Sequence, residues 1–272
     1  MKQKGFVTEC SDFIGRYWQI IIIVVAAIVF FTFIGYYILK NGRWGFYMKV
    51  QENDSYSAAS AEVTNYTGKR AYLTFDDGPS ENTMELLDIL DEYDVKATFF
   101  VIGREEKYYD CYREIVERGH VLALHSYTHD YNKIYSSKDN FVKDIEELRK
   151  LLYDVTGVHA IYYRFPGGSA NSVSKVPMSE LVSYVEEQGL VYFDWNALNQ
   201  DAVSDNLSPE KLVDNIMEDA KKHNDVVILM HDLKNRHTTI ESLPLLIETL
   251  REEGYEILPI DENAPHVRHH II

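Results

Sequence analysis

Short apolar segments alternate along most of the chain with longer segments in which apolar residues recur every three or four positions. The apolar segments predict about seven strands, at 71–75, 97–102, 121–125, 161–165, 190–195, 226–231 and 256–260. Between them, sets such as Leu86, Leu87 and Leu90 share one face of a helix. Alternating strands and helices favour a parallel sheet covered by helices, so we expect one large α/β domain.

Chemically active side chains cluster at the ends of the predicted strands. In a barrel and in a doubly wound sheet alike, functional groups collect at the carboxyl ends of the strands. Five strands end at such groups: Asp76 and Asp77, then His125 and His129, then Arg164, then Asn196 through Asp201, and finally His231 and Asp232. We therefore expect these side chains to meet at one edge of the sheet.

The first predicted strand stops at two adjacent carboxylates, Asp76 and Asp77, which Gly78 and Pro79 follow. Neighbouring carboxylates repel, and one of them stays protonated unless a cation separates their roles. A plain Asp-Gly turn, with Ser80 capping the next helix, is the alternative interpretation.

His125 and His129 lie four residues apart, and on one helical turn two such imidazoles face the same way. Most pairs at this spacing bind nothing. Together with one carboxylate from another strand end they would form a site with open positions for water, as catalytic metal sites have. Zinc is the first candidate, and cobalt, nickel, manganese and iron remain open.

The whole set of motifs resembles one family. Thr-Phe-Asp-Asp-Gly-Pro at 74–79, His-Ser-x-x-His at 125–129, Arg-x-Pro-x-Gly at 164–168 and Leu-x-His at 229–231 resemble the polysaccharide deacetylases, the fourth carbohydrate esterase family. The resemblance covers about residues 70 to 260. It implies a distorted (β/α) barrel with fewer than eight strands, and metal-dependent removal of acetyl groups from N-acetylated sugars.

The resemblance also implies a role for each residue of the set. Asp77, His125 and His129 would bind the metal, and Asp76 would be the catalytic base, held ionised by Arg164. His231 would be the general acid, and Asp201 would orient it. The backbone N–H of Gly167 would stabilise the oxyanion. Without the other motifs, His231 would be interpreted as a core histidine, Arg164 as a partner of any surface acid, and Asp201 as a turn residue.

For substrate binding, Leu229 would form a wall of the acetyl pocket, and Trp195 and Phe165 would contact the sugar. Two positions depart from the family pattern, because many members have an aromatic residue where this chain has Gly167 and tryptophan where it has Ala202. Both changes shrink the substrate groove, which Trp195 would partly restore. Asp232 is interpreted as a helix cap or loop acid.

The chain has 272 residues and a formal net charge of −16. This acidity argues against nucleic-acid binding, which depends on neutralising phosphates. Two cysteines, Cys10 and Cys111, are too few for a disulfide framework.

Residues 18–39 carry no charge and would span about 33 Å as a helix, enough to cross a bilayer. A cleaved signal peptide and a core helix are the alternatives. We expect a cytoplasmic segment at 1–17, a membrane helix at 18–39, a stalk at 40–69, an extracytoplasmic catalytic domain at 70–262 and a tail at 263–272. Flanking charges nearly tie, so the orientation rests on function. The tail's His266, His269 and His270 are expected to be solvated.

An anchor beside the membrane suggests a cell-wall substrate, and peptidoglycan N-acetylglucosamine is the first choice. Chitin oligomers, an exopolysaccharide or acetylxylan are alternatives, and so is a sugar-binding relative without turnover.

Overall fold

The computed structural model describes residues 68–203 and 207–271. The predicted membrane helix at 18–39, the segment before it and nearly all of the predicted stalk lie outside these residues. Within the described part of the chain, no helix combines the length and the apolar character that crossing a membrane requires.

One curved parallel sheet organises the described chain. Its path runs β5-β4-β3-β2-β1-β7-β6, and β8 pairs with the first half of β1. The strands are β1 (Lys69–Asp76), β2 (Thr98–Ile102), β3 (Val121–Ser126), β4 (Tyr162–Tyr163), β5 (Val191–Tyr192), β6 (Ala197–Leu198), β7 (Asp225–His231) and β8 (Tyr255–Leu258).

Helices connect these strands and cover the outside of the sheet. They are α1 (Thr83–Glu92), α2 (Tyr109–Glu117), α3 (Tyr131–Ile134), α4 (Lys138–Thr156), α5 (Met178–Glu187), α6 (Pro209–Ala220) and α7 (His237–Glu252), with a 3₁₀ turn at Glu106–Tyr108. The expected alternation of strands and helices is therefore confirmed, and all strand pairs within the described residues are parallel.

Alternate residues of the central strand face two different apolar clusters. Ala71, Leu73 and Phe75 belong to the large cluster packed under the helices, whereas Tyr72 belongs to a smaller cluster on the other face. Both faces of β1 are buried because helices cover one face and the curvature of the sheet encloses the other. This explains why the sequence of β1 reads as a nearly continuous apolar run.

The sheet is a half-barrel rather than a closed barrel. Its path ends at β5 on one side and β6 on the other, and no backbone pairing joins these two strands within the described residues. β4 and β5 have only two residues each, fewer than the apolar runs predict, and β6 was not predicted. The expectation of a distorted barrel of about seven parallel strands agrees with the seven-strand path, and β8 is an eighth strand off this path.

Two details of the sequence interpretation are wrong. Asn82, not Ser80, is the N-cap residue of α1, and the Ser80 hydroxyl instead donates to Asp232. The tail is not simply solvated, because the His269 N–H donates to the Asp194 carboxylate and the His266 ring contacts Phe193 edge-on. His266 and His270 are exposed, as was expected, whereas His269 is partly buried.

Candidate active site

The carboxyl ends of β1, β3 and β7 bring the predicted residues to one edge of the sheet. Asp76 and His231 are register partners in the pairing of β1 with β7. His125 is the penultimate residue of β3, which β2 and β1 separate from β7. Since all these strands are parallel, the side chains that end them converge, as the positions along the chain predicted.

Asp77, His125 and His129 each direct one ligand atom at a common point, and these three atoms lie within 4.8 Å of one another. The Asp77 Oδ1 atom lies 3.0 Å from His129 Nε2 and 3.4 Å from His125 Nε2. Ligands about 2.1 Å from a zinc ion are separated by roughly 3.0 to 3.4 Å at octahedral to tetrahedral angles. The three residues therefore fit a divalent cation.

The protonation of His125 also suits metal binding. Its Nδ1–H group donates to the carbonyl oxygen of Arg164 at 2.8 Å, which leaves the lone pair of Nε2 directed at the site. Burial lowers the pKa of His125 to about 3, so the ring is neutral. Asp77 Oδ1 is buried without a hydrogen-bond donor, and a cation would satisfy it.

The two histidines do not share a helical turn, which corrects the expectation from their spacing. His125 belongs to β3, and His129 lies in the turn before α3 with a φ of 50°. The hydroxyl of Ser126 accepts a hydrogen bond from the His129 N–H and thereby fixes the turn. A tight turn after a strand thus achieves what the spacing suggested a helix would do.

Asp76 is paired with a guanidinium in the interior. Arg164 is fully buried, and its Nη1 group donates to Asp76 Oδ1 at 2.8 Å and to the Thr74 hydroxyl at 2.7 Å. Burial raises the pKa of Asp76, and the positive charge of Arg164 opposes this rise. The second oxygen, Oδ2, remains on the side of the metal ligands, 3.9 Å from His125 Nε2.

His231 is held by a second buried acid. Asp201 Oδ1 lies 2.6 Å from His231 Nδ1, and Asp201 Oδ2 accepts the backbone N–H of His231 at 3.0 Å. Burial lowers the pKa of His231, but the hydrogen bond and charge of Asp201 outweigh it and raise this pKa to about 9. The imidazole is therefore protonated at neutral pH, as a general acid must be.

Comparison with known proteins agrees with this geometry. The sequence profile of the family described as polysaccharide deacetylase matches residues 64–181. The catalytic domain of peptidoglycan N-acetylglucosamine deacetylase from Eubacterium rectale superposes with a TM-score of 0.73 at 40% identity, covering 79% of this chain and 99% of that domain. A peptidoglycan-N-acetylglucosamine deacetylase of Bacillus cereus is 31% identical over 72% of this chain and 71% of its own length.

YheN of Bacillus subtilis, whose name assigns it provisionally to the same group, is 37% identical over 70% of this chain and 67% of its own length. The chain belongs to the polysaccharide deacetylase family. The family prediction is thereby confirmed, and so is the prediction that the protein is a hydrolase that removes acetyl groups.

Among the residues predicted to bind substrate in this deacetylase, Phe165 is placed differently from the expectation. Its ring is fully buried and stacks on Phe141 at 5.7 Å, with the Tyr163 and Tyr192 rings edge-on to it. A side chain in this position supports the loop from inside the core and contacts no substrate. The prediction that Phe165 contacts the sugar is therefore wrong, because its side chain points into the core.

The other substrate-side predictions stay open to test. Gly167 lies exposed in the loop after Pro166, and no protein acceptor takes its N–H among the described residues. Leu229 is 7% exposed on β7. Trp195 is partly buried, with its ring 5.8 Å from the Arg164 guanidinium. Ala202 is exposed.

Asp144 of α4 is a positioning acid that the motifs did not indicate. Its carboxylate is buried and accepts hydrogen bonds from Ser126 Oγ, from the N–H groups of Tyr127 and Thr128, and from the Thr128 hydroxyl. It thereby shapes the turn between the two histidines. A signal was present, since position 144 lies on the apolar face of its helix between Phe141 and Leu148.

Asp232 lies in the loop after β7, in agreement with its interpretation as a loop acid, and it organises the segment that follows Asp77. It is fully buried and accepts the hydroxyls of Ser80 and Thr83, each at 2.6 Å. A Cβ atom at Gly78 would lie 2.4 Å from Asp232 Oδ2, so only glycine allows this approach. Burial raises the pKa of the Asp232 carboxyl.

A cleft of about 560 Å³ opens beside the loop that follows β2. It is lined by Tyr108, Tyr109 and Tyr127, by Arg104 and Lys107, and by Gly103 and Glu105. The Arg104 guanidinium also donates to the carbonyl oxygens of Asp77 and Pro79, which ties the cleft to the acid motif. Tyrosine rings and cationic donors in a cleft suit a polar polymer.

Proposed function

We propose that this deacetylase removes N-acetyl groups from a cell-wall polysaccharide, with peptidoglycan N-acetylglucosamine as the first candidate, and that it requires one divalent metal ion. The products are acetate and a free amino sugar. The observation that carries the proposal is the placement of Asp76 and His231 beside the Asp77, His125 and His129 set. In this proposal Asp76 would be the base and His231 the acid toward one reacting amide.

Asp77, His125 and His129 would hold the ion, with zinc first and cobalt, nickel, manganese or iron as alternatives. When bound, such an ion polarises the acetyl carbonyl and lowers the pKa of a water molecule. Asp76 has one oxygen committed to Arg164, so its Oδ2 atom accepts the proton of the attacking water. The exposed N–H of Gly167 donates to the oxygen that becomes negatively charged.

His231 completes the reaction at the leaving group. Its Nδ1 atom is bonded to Asp201, so the proton on Nε2 is the one available to the departing nitrogen. An amide nitrogen cannot leave as an anion, and protonation by His231 makes the leaving group a neutral amine. The tyrosine-lined cleft, which Arg104 connects to the acid motif, would receive the neighbouring sugars of the polymer.

The test is acetate release by the full chain, kept in detergent, from peptidoglycan, chitin oligomers and acetylxylan. We expect release from peptidoglycan with zinc, loss of release on adding a chelator, and a loss of about 10²- to 10⁴-fold in Asp76→Asn. Asp154→Asn, an exposed acid on α4, is the matched control and should keep full activity.

Melting temperature and metal content of each variant separate lost chemistry from lost folding. Release from chitin oligomers alone would replace the substrate and keep the reaction, whereas release from acetylxylan alone would refute cleavage of an N-acetyl bond. Inertness of the wild-type chain toward every polymer would refute the proposal as a whole.

The proposal includes a location, in which residues 18–39 anchor the chain and the catalytic domain lies outside the cell membrane. The uncharged apolar run of this segment supports it. Resistance to alkaline carbonate extraction, together with digestion of the domain by protease added to intact protoplasts, would support this location. Release of the chain into the soluble fraction would refute the anchor.

A further inference from the structure

The C-terminal residues 265–271, which we name the C-terminal strap, lie against the edge of the sheet that carries the active site. The carbonyl oxygen of Val267 accepts the backbone N–H of Asp194 at 2.9 Å. Further along the strap, the His269 N–H donates to Asp194 Oδ2 at 2.7 Å. Arg268 holds the outer side through Glu186 at 2.9 Å. Among the described residues, the two hydrogen bonds that join the strap's backbone to another segment both end on Asp194.

Asp194 connects the strap to the arginine motif. It is fully buried as the second residue after β5, and its Oδ1 atom accepts the Ser169 N–H at 2.8 Å, while Oδ2 accepts the Ser169 hydroxyl. Its carbonyl oxygen accepts Arg164 Nη2 at 3.1 Å, and the preceding carbonyl of Phe193 accepts Arg164 Nε at 3.1 Å. Two of the hydrogen bonds that orient the guanidinium thus end on the segment that the strap holds.

Close contact between the strap and the loop after Arg164 supports the same connection. Gly168 has a φ of 84°, and a Cβ atom there would lie 3.1 Å from the Trp195 ring and 3.2 Å from His269 Nδ1. The His269 ring packs edge-on against Trp195 at 4.7 Å, and its Nε2 atom bonds the Trp195 carbonyl oxygen. Glycine at this position lets the loop, Trp195 and the strap pack without a gap.

We propose that the C-terminal strap is part of the active-site scaffold and that Asp194 is a positioning residue for the reaction. By fixing the segment around Asp194, the strap holds Arg164 against Asp76 and fixes the loop that carries Gly167. The metal ligands lie on other elements, at the ends of β1 and β3. Loss of the strap should therefore reduce turnover more than substrate or metal binding. This inference rests on the proposed function for its kinetic test.

Two variants of the full chain test the proposal in different ways. A stop codon at position 265 removes the whole strap. Asp194→Asn keeps the size of the side chain but offers a single acceptor oxygen, which cannot serve both the Ser169 and the His269 N–H groups. His270→Ala is the matched control, because its side chain is exposed in the same segment.

For both test variants we expect kcat to fall on the order of 10- to 100-fold, with KM and zinc affinity close to those of the wild type. Hydrogen exchange should accelerate at the Ser169 amide while the amides of β1 remain protected. His270→Ala should match the wild type in every measurement. If the truncated chain does not fold, the Asp194→Asn variant decides.

Unchanged kcat, or a loss of protection spread evenly over the sheet, would overturn the proposal, since the strap would then serve stability alone. The exchange measurement needs no substrate. If the wild-type chain released no acetate from any polymer, the proposed function would fail. Unaltered exchange at Ser169 in Asp194→Asn would then independently overturn the strap's part in fixing the loop.

Discussion

Replacing Asp201 by asparagine removes the negative charge that holds the proton on His231. The change keeps the size of the side chain, and an asparagine oxygen can still accept the His231 backbone N–H that Asp201 Oδ2 now accepts at 3.0 Å. The amide NH₂ group would then face Nδ1 in place of Oδ1, which lies 2.6 Å from that nitrogen. A donor in this position favours the neutral ring, so the variant should lower the pKa of His231.

The size of the effect follows from the pKa of His231, which rises from 6.5 to about 9 in the folded protein. A shift of this size corresponds to a free energy on the order of 3 kcal/mol. A hydrogen bond to a charged partner contributes about 1.5 to 3 kcal/mol, or roughly one to two pKa units. We expect Asp201→Asn to lower the pKa of His231 by this amount, while the charges of Asp76 and Asp77 preserve the rest of the rise in pKa.

The sign of the pH dependence is set by the raised pKa. The proton on His231 stabilises the folded chain fully below about pH 6.5, and this contribution is lost as the pH rises toward 9. Activity requires the same proton, so kcat/KM should fall on the alkaline side. A bound cation repels the imidazolium, and the alkaline limb of the metal-loaded enzyme should lie below the pKa of the metal-free protein.

Two measurements check this expectation. An NMR titration of His231 in the metal-free protein should give a pKa about one to two units lower in Asp201→Asn. The alkaline limb of kcat/KM in the metal-loaded enzyme should move in the same direction. Asp225→Asn, at the opposite end of β7 and paired with Arg70, is the matched control. An unchanged titration in Asp201→Asn would refute the role of Asp201, and an equal shift in the control would show a general charge effect.

Three further outcomes are expected. Arg164→Ala should lower the free energy of unfolding by about 3 to 5 kcal/mol in urea titrations, because it leaves the buried Asp76 unpaired. Arg113→Ala, which breaks an exposed pair with Asp110, should cost about 0 to 1 kcal/mol, and equal losses would contradict the reasoning. Asp144→Ala should weaken zinc binding by roughly 10- to 100-fold in calorimetry, since the turn of His129 loses its acceptor, while the exposed Asp154→Ala on the same helix should leave it unchanged. Zinc at 100 times its Kd should raise the free energy of unfolding by about 2.7 kcal/mol in the wild type and by far less in His129→Ala, and equal stabilisation of both would place the ion elsewhere.

Much of the site was predictable because the carboxyl ends of parallel strands lie at the same edge of a sheet. Because Asp76, His125 and His231 were assigned to the ends of three parallel strands, their side chains were expected to lie close together. The same reasoning failed for local conformation. The spacing of His125 and His129 is compatible with a helical turn, but strand β3 extends to Ser126, and His129 follows it in the left-handed conformation.

Asp144 and Asp194 were not predicted, because nothing in their neighbouring residues marks a catalytic motif. Asp194 nevertheless interrupts the apolar run from Leu190 to Trp195, and Asp144 interrupts the apolar face of α4. A carboxylate in an apolar pattern must find donors when it is buried, so such interruptions are a usable signal. The partners themselves, Ser169 and the His269 N–H, come from distant segments and require the structure.

The backbone at Asp77 explains how two consecutive acids serve the same site. Side chains of successive strand residues point to opposite faces, so a regular strand would direct Asp76 and Asp77 apart. Asp77 instead adopts a φ of 69°, which turns its carboxylate toward the histidines. A non-glycine residue in the left-handed region carries strain on the order of 1 to 2 kcal/mol.

This strain can be measured by comparing two variants that both lack the metal ligand. With chelator present, Asp77→Gly should be more stable than Asp77→Ala by about 1 kcal/mol in urea titrations, because glycine adopts a positive φ without a steric penalty. At an ordinary backbone position the order is reversed, since glycine loses more entropy on folding. If the alanine variant were equally or more stable, Asp77 would not be held in the left-handed conformation. The separation of the two acids would then depend on the bound cation rather than on the fold.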